Sequence, residues 1–358
     1  MNKKIAVIIS PNWQDYAQKY LADCLTSLAN QDYVGELKFW LIDNATTAES
    51  FLLMQKIGQE YLAGREWVLL ANQNNDGFAK ANNEAMRMAV NEGYDYLVLL
   101  NMDGLADSSC LRELMETAES DQIIGAVQAR IMLHPEVNKI NSLGNVTHFL
   151  GFGYPGHCQE ALADYDKFDL QSIAYPSGSA VLFKAEALKR VGLFDEAFWM
   201  YSEDQDLGWR LWLAGFKIVL ASRAVFYHKY EFSGAKGRYY WLDRNRLLAV
   251  FKNYRLATLM LICPALLIAE LGLIIVAIRG RWFKQKLRVW LYFLSPVTWV
   301  YLIKARRATQ ALRQVSDRRI IKLFSGKIIY QELAGPLLSL ANIFLNIYWS
   351  IAKMIVLW

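Results

Sequence analysis

Tyr96-Leu97-Val98-Leu99-Leu100-Asn101-Met102-Asp103-Gly104 is the stretch around which the rest of the sequence is organised. Its five leading apolar residues show no alternation, the pattern of a central parallel strand buried on both faces. Apolar character stops at Asn101. In an open α/β sheet, ligands lie outside the carboxyl ends of the strands, so Asn101 and Asp103 are expected at the rim of a cleft. A carboxylate just past the strand and followed by Gly104 suits a hard divalent cation that bridges to phosphate oxygens. As an isolated fragment, Asn-x-Asp-Gly reads equally well as turn chemistry.

Upstream, Ile5-Ala6-Val7-Ile8-Ile9 reads as a first buried strand ended by Ser10-Pro11-Asn12, with a helix expected over 15–30. Phe39-Trp40-Leu41-Ile42 ends in Asp43-Asn44, a helix follows around 48–62, and Trp67-Val68-Leu69-Leu70 is a third strand. The run from Asn72 to Asn83, centred on Gly77-Phe78, then opens a helix to about Glu92. This βα alternation predicts a parallel sheet with right-handed crossovers. Polar residues after successive strands mark one sheet edge as the binding edge.

Downstream, residues 104–175 read as a less regular insert, with Gly151, Gly153, Pro155 and Gly156 marking loops. Pro176-Ser177-Gly178-Ser179 leads into a strand, Ala180-Val181-Leu182-Phe183. Ser202 and Gln205 have capping-box spacing ahead of a helix that Gly215 stops. Its first-turn acids, Glu203 and Asp204, are favoured by the helix dipole in any case. Asp206 and Arg210, four apart, read as an ordinary surface pair. Ile218-Val219-Leu220 and Ala224-Val225-Phe226-Tyr227 read as two late strands that deliver His228. A lone histidine is more often packed than functional.

The 358 residues are 54% hydrophobic and carry a net charge of +5. That sum hides an asymmetry: residues 1–242 hold 21 Lys and Arg against 30 Asp and Glu, and residues 243–358 hold 18 against 4. In the basic half the charges sit between long apolar runs, which suits an anionic membrane surface and argues against nucleic acid. Residues 256–278 are long enough to cross a hydrocarbon layer of about 30 Å, with Pro264 as a potential break. Residues 333–352 form a second apolar run, and 289–303 a shorter one. Lys304–Lys327 has the composition of a helix lying in the interface. Positive charge beside these runs favours the cytoplasmic leaflet. A helical bundle or a homo-oligomer interface is the competing reading of the same surface. Cys24, Cys110, Cys158 and Cys263 lack metal-type spacing and are expected as free thiols. The start, Met1-Asn2-Lys3-Lys4 with a short apolar run before Pro11, does not read as a secretory signal, so the front domain is expected to face the cytoplasm.

Taken together, Asp43-Asn44, the Asn72–Asn83 segment, Asn101-Met102-Asp103, Gly178-Ser179-Ala180, and Phe194-Asp195-Glu196 leading to Ser202-Glu203-Asp204 resemble the GT-A family 2 inverting glycosyltransferases, in their rhamnosyltransferase-like branch. The resemblance covers roughly residues 4–253. It departs from the pattern in three places: Asn101 replaces the first Asp of Asp-x-Asp, Met102 replaces the usual proline, and Ser-Pro-Asn ends the first strand.

The resemblance implies a Rossmann-like GT-A domain over 1–253, and the apolar runs and basic charge beyond it are expected to form a helical membrane-association region over 254–358. It implies a nucleotide-sugar donor, with dTDP-rhamnose favoured, a glycan or polyprenyl-diphosphate-linked acceptor, and Mn²⁺ or Mg²⁺ as cofactor. On this reading Asn12, Asp43, Asn75, Gly77, Lys80, Asn101, Asp103 and Arg244 contact the donor, Asp43 by accepting from a pyrimidine ring N–H. Asp103 and His228 hold the metal. Ser177, Gly178, Ser179 and Trp199 face the acceptor. Asp204 is the general base, with Glu203 as runner-up. The alternatives are a polyprenyl-phosphate glycosyltransferase and a nucleotide-sugar-binding membrane scaffold without catalysis.

Overall fold

The computed structural model describes residues 3–44, 47–161, 164–230, 236–329 and 335–358. The first half follows the expected alternation: β1 (Lys4–Ile9), α1 (Ala22–Ala29), β2 (Glu36–Asn44), α2 (Ala48–Tyr61), β3 (Glu66–Asn72), α3 (Gly77–Asn91) and β4 (Tyr96–Leu100). Every residue of β4 is buried, as the unbroken apolar run requires. β1 pairs in parallel with both β2 and β4, and β2 with β3.

Beyond β4 the chain is more regular than its sequence suggests. β5 (Gly104–Ala106), α4 (Cys110–Glu119), β6 (Ile124–Leu133), β7 (Ile140–Ser142), β8 (Asn145–His148) and β9 (Gly153–Pro155) fill the expected insert. They are followed by β10 (Ala180–Lys184), α5 (Ala185–Val191), α6 (Glu203–Leu213) and β11 (Lys217–His228). The two late strands are one long strand, irregular between Ala221 and Val225. β10 enters antiparallel between β4 and β6, so the main sheet, in order β3-β2-β1-β4-β10-β6-β11-β5 with β7 beside β6, is mixed. Apolar clusters cover both of its faces.

The C-terminal part runs α7 (Arg238–Asn253), α8 (Leu256–Arg279), α9 (Phe283–Leu294), α10 (Pro296–Ala311), α11 (Asp317–Ile320), β12 (Phe324–Ser325) and α12 (Pro336–Ile355). α8 runs through Pro264 without a break. Lys304–Lys327 is not one interfacial helix: α10 ends at Ala311, and β12 pairs with β8 in a small sheet with β9. The start of the expected 333–352 run lies outside the described residues. Among the described residues, two helical stretches, Leu256–Arg279 and Leu338–Ile355, are long and apolar enough to cross a membrane. Most of each is unburied, with Leu271, Ile275, Ile343 and Ile347 among the exposed side chains.

Candidate active site

One cleft of about 1350 Å³ runs along the carboxyl edge of the sheet. Ser10, Pro11, Trp13 and Tyr16 line it near the end of β1, Asn101 and Asp103 near the end of β4, and His228 at the end of β11. Ser177, Gly178 and Ser179 line it before β10, and Glu203 and Asp204 at the start of α6. Carboxylates far apart in sequence therefore share one pocket.

A continuous path of polar contacts joins them. Gly178 donates its backbone N–H to Asp204 Oδ2 at 3.3 Å, and the Ser177 and Ser179 hydroxyls are 3.1 Å apart. Asn101 Nδ2 donates to Ser179 Oγ at 3.3 Å and lies 3.4 Å from His228 Nε2. His228 Nε2 is in turn 3.1 Å from Asp103 Oδ1. Gln128, buried at the centre of β6, accepts from the Ser177 N–H at 2.8 Å and so fixes the serine turn.

The Asp103–His228 pair fits a cation on its own chemistry. Nδ1 of His228 faces Asn141 Oδ1 at 3.0 Å, so a bound cation at Nε2 is compatible with a proton on Nδ1. That tautomer sets the Nε2 lone pair beside a carboxylate oxygen, and a cation satisfies both. The side-chain amide oxygen of Asn101, buried and without a partner, is a further oxygen for such an ion or its water. Among the described residues no cluster of three or more His, Cys, Asp or Glu forms a metal site.

At the other side of the cleft, Asp204 accepts from the N–H of Gln205 at 2.7 Å as well as from Gly178. Burial pushes its pKa up to about 6, and the backbone N–H groups hold it there against a larger rise. The dipole argument alone points the other way; desolvation wins. Burial, with the charge of Asp204 beside it, raises Glu203 well above the usual carboxylate range, and its Oε2 has no partner. The expected capping box is absent: Ser202 is left-handed and makes no side-chain cap, and Gln205 Nε2 donates to Thr147 instead.

Asp204 is presented by a strained loop. Trp199, Tyr201 and Ser202 all have positive φ, at 62°, 68° and 63°, conformations that persist only where neighbours enforce them. Asn245, wholly buried, donates from Nδ2 to the carbonyls of Phe198, Met200 and Tyr201 at 2.9, 2.8 and 2.6 Å. Sequence reasoning passed over Asn245, whose signal is an amide inside an otherwise well-formed helical pattern.

Several expected donor residues serve this framework instead. The Arg244 guanidinium donates to the carbonyls of Ala197 and Phe198 and stacks on Trp241, which corrects its reading as a phosphate contact. A Cβ on Gly77 would come within 2.5 Å of the Trp199 carbonyl oxygen, so its missing side chain admits that loop and not a nucleotide. The Trp199 ring stacks on Trp241 at 4.6 Å, while its neighbours Met200 and Tyr201 line the cleft. Asn75 accepts from Asn44 and from the Gly77 N–H. Lys80 pairs with Asp76 at the surface. Asn12 donates to Asp43 at 3.1 Å and to Ser50, Asp43 is buried beside it, and the cap of α2 is Thr47.

A mixed sheet whose carboxyl edge gathers acids, an imidazole and a serine turn in one cleft defines a nucleotide-diphospho-sugar transferase fold. The sequence profile "Glycosyltransferase like family 2" matches residues 3–248, and the chain belongs to that family. It is a transferase. It is 29% identical over 252 residues, 64% of this chain and 76% of the relative, to N-acetylglucosaminyl-diphospho-decaprenol L-rhamnosyltransferase of Mycobacterium tuberculosis. It is 24% identical to an N-acetylglucosaminyltransferase of Mesorhizobium japonicum, over 61% of this chain and 50% of the relative. Among solved structures, S. aureus TarS (residues 1–349, in complex with UDP) superposes with a TM-score of 0.50 at 14% identity, covering 98% of this chain and 90% of that one. GalNAc-T7 with UDP, GalNAc and Mn²⁺ gives 0.53 at 13% identity, over 70% and 48%. These structures support the fold.

Proposed function

We propose that the chain is an inverting, metal-assisted glycosyltransferase at the cytoplasmic face of a membrane. It moves a sugar, rhamnose first among candidates, from a nucleoside diphosphate to a hydroxyl of a glycan or polyprenyl-diphosphate-linked acceptor. Residues 1–253 carry the reaction and 254–358 hold the enzyme at the membrane. The observation that carries this reading is the meeting of Asp204 with the Asp103–His228 pair in one cleft, joined through Ser177–Ser179.

Asp204 removes the proton from the acceptor hydroxyl as that oxygen bonds to the anomeric carbon, and the bond from that carbon to the diphosphate breaks on the opposite face. The proton ends on Asp204 and the electron pair on the departing phosphate. A pKa of about 6 leaves the carboxylate ionised at neutral pH yet basic enough to accept a proton. Asp103 and His228 would hold Mn²⁺ or Mg²⁺, with Asn101 adjoining; bound there, the ion supplies charge stabilisation to the leaving diphosphate. Ser10–Tyr16 border the nucleotide end, with Asp43, steadied by Asn12, as acceptor for a pyrimidine ring N–H. The relative from M. tuberculosis, whose name specifies rhamnose and a diphospho-decaprenol acceptor, supports the choice of sugar and carrier.

The purified chain, given Mn²⁺ and a panel of nucleotide sugars with a GlcNAc-diphosphoprenol acceptor, should transfer rhamnose from dTDP-rhamnose and lose activity in EDTA. A sugar-monophosphate product would identify a polyprenyl-phosphate transferase instead. No turnover and no donor hydrolysis with any donor would leave a binding scaffold.

A further inference from the structure

The cleft has an apolar lining besides its polar groups: Tyr239, Leu242, Leu273, Trp282, Leu323 and Ile328 are among the residues that line it, and are termed its wing. We propose that this wing binds the hydrocarbon chain of a lipid carrier, with its first isoprenoid units against these six side chains. The inference rests on the acceptor being lipid-linked and adds where its chain goes.

The wing differs in chemistry from the rest of the cleft. Tyr239 and Trp282 stack at 4.9 Å with 19° between their planes and make a flat aromatic wall. Leu242, Leu273 and Leu323 are only half-buried, so apolar surface is left for another apolar group to cover. The charges in this wing are already matched. Arg246 and Lys286 share Asp243 and Glu270, two cations with two carboxylates, all side chains largely withdrawn from solvent. A neutral quartet is a poor seat for a second diphosphate and an acceptable floor for a hydrocarbon.

The walls also determine where such a chain leads. Leu273 belongs to α8, one of the two apolar helices. Leu323 and Ile328 belong to the segment that places β12 against β8 and is tied to α12: Asn342 donates to the Ile328 carbonyl at 2.8 Å and accepts its N–H at 2.7 Å. The active-site wall is thus built from chain held by the helices whose outer faces are apolar and uncovered. A hydrocarbon chain leaving the wing passes onto those faces and avoids the cost of exposing each methylene to water.

The test uses the full chain in nanodiscs with a benzophenone-bearing farnesyl diphosphate as photoprobe. The expected result is label on peptides containing residues 239–242, 273–282 and 323–328, suppressed several-fold by geranylgeranyl diphosphate and unaffected by inorganic diphosphate. Leu273→Trp combined with Leu323→Trp should raise KM for a long-chain acceptor about tenfold, a loss of about 1.4 kcal/mol in binding, and leave KM for a short-chain, water-soluble acceptor unchanged. Label confined to the outer faces of α8 and α12, equal competition by inorganic diphosphate, or crosslinking to a second copy of the chain would each overturn the proposal. Should the double variant fold poorly, the wild-type labelling pattern decides. Wing labelling without transfer to any lipid-linked acceptor would sink the functional reading and leave the site standing. Transfer to lipid acceptors with an unlabelled wing would do the reverse.

Discussion

Asp204 and Asp206 stand two residues apart in the first turn of α6 and have opposite fates. Asp204 faces the cleft, is held by two backbone N–H groups, and burial lifts its pKa to about 6. Asp206 faces the interior, where Arg210 Nε at 2.9 Å, Lys252 Nζ at 2.8 Å and Asn253 Nδ2 at 3.0 Å surround it. Burial pushes the Asp206 carboxyl up as well, and Lys252 and Arg210 outweigh it, bringing the pKa down to about 2. The reading of Asp206–Arg210 as a surface pair is therefore corrected: both side chains are buried, and Arg210 also donates to the carbonyls of Val191 and Leu193. Along one turn of helix, partners and not burial set the two carboxylates apart: among the described residues no cation is paired with Asp204, while Asp206 has two.

The sharpest way to break this contrast is Asp204→Asn. The side chain keeps its size and loses its proton affinity, so transfer should fall by about 10²–10⁴-fold, the usual worth of a general base, with nucleotide affinity near wild type. Its melting temperature should not drop, because an ionised carboxylate whose folded pKa is raised costs stability at neutral pH. A variant that keeps most of its rate would pass the base role to Glu203 or to another group.

Asp206→Ala should do the opposite. It leaves Arg210 and Lys252 buried without their counter-charge, a loss of about 3–5 kcal/mol, read as a lowered denaturation midpoint. The sign against pH follows from the depressed pKa. The Asp206 contribution is complete above the ordinary carboxylate pKa of 3.8 and vanishes as pH falls through about 2. The wild-type advantage over the variant should narrow across that window, and an advantage flat from pH 5 to 2 would show that the cluster does not stabilise through this charge.

The same comparison marks how much was legible in the sequence. β4 and the strands paired around it were readable because burial on both faces leaves an unbroken apolar run, and the placement of Asp103, His228 and Asp204 at one cleft because each ends or follows a strand or opens a helix. β6 escaped because Gln128 and Arg130 interrupt its apolar run; only the folded chain shows Gln128 spent on the serine turn and on Ser142. Arg244 and Gly77 carried plausible functional chemistry that the fold uses on the loop before Asp204. The segment after Ala311 looked interfacial by composition, and its β12 forms part of the small sheet beside the cleft. Such assignments depend on partners outside the local stretch, which local pattern does not encode.

A third measurement refines the Asp204 side of the contrast. The base must be ionised to act, so kcat/KM should rise with pH and level off above about 6, falling tenfold per unit below it. An acid limb near pH 4 would mean that desolvation is relieved when donor or acceptor binds, and the limb should be absent from the residual activity of Asp204→Asn.

The smallest effect is expected at Lys80. The resemblance assigns this cation to the donor, yet its ammonium lies 2.9 Å from Asp76 four residues earlier, half-exposed, and it does not line the cleft. An exposed pair of this kind contributes little, because water and salt screen both charges before they meet. Lys80→Ala should leave both the melting temperature and the donor KM within error of wild type. A several-fold rise in donor KM that disappears at high salt would show Lys80 reaching the nucleotide once it binds, and would move the donor end of the cleft toward the start of α3.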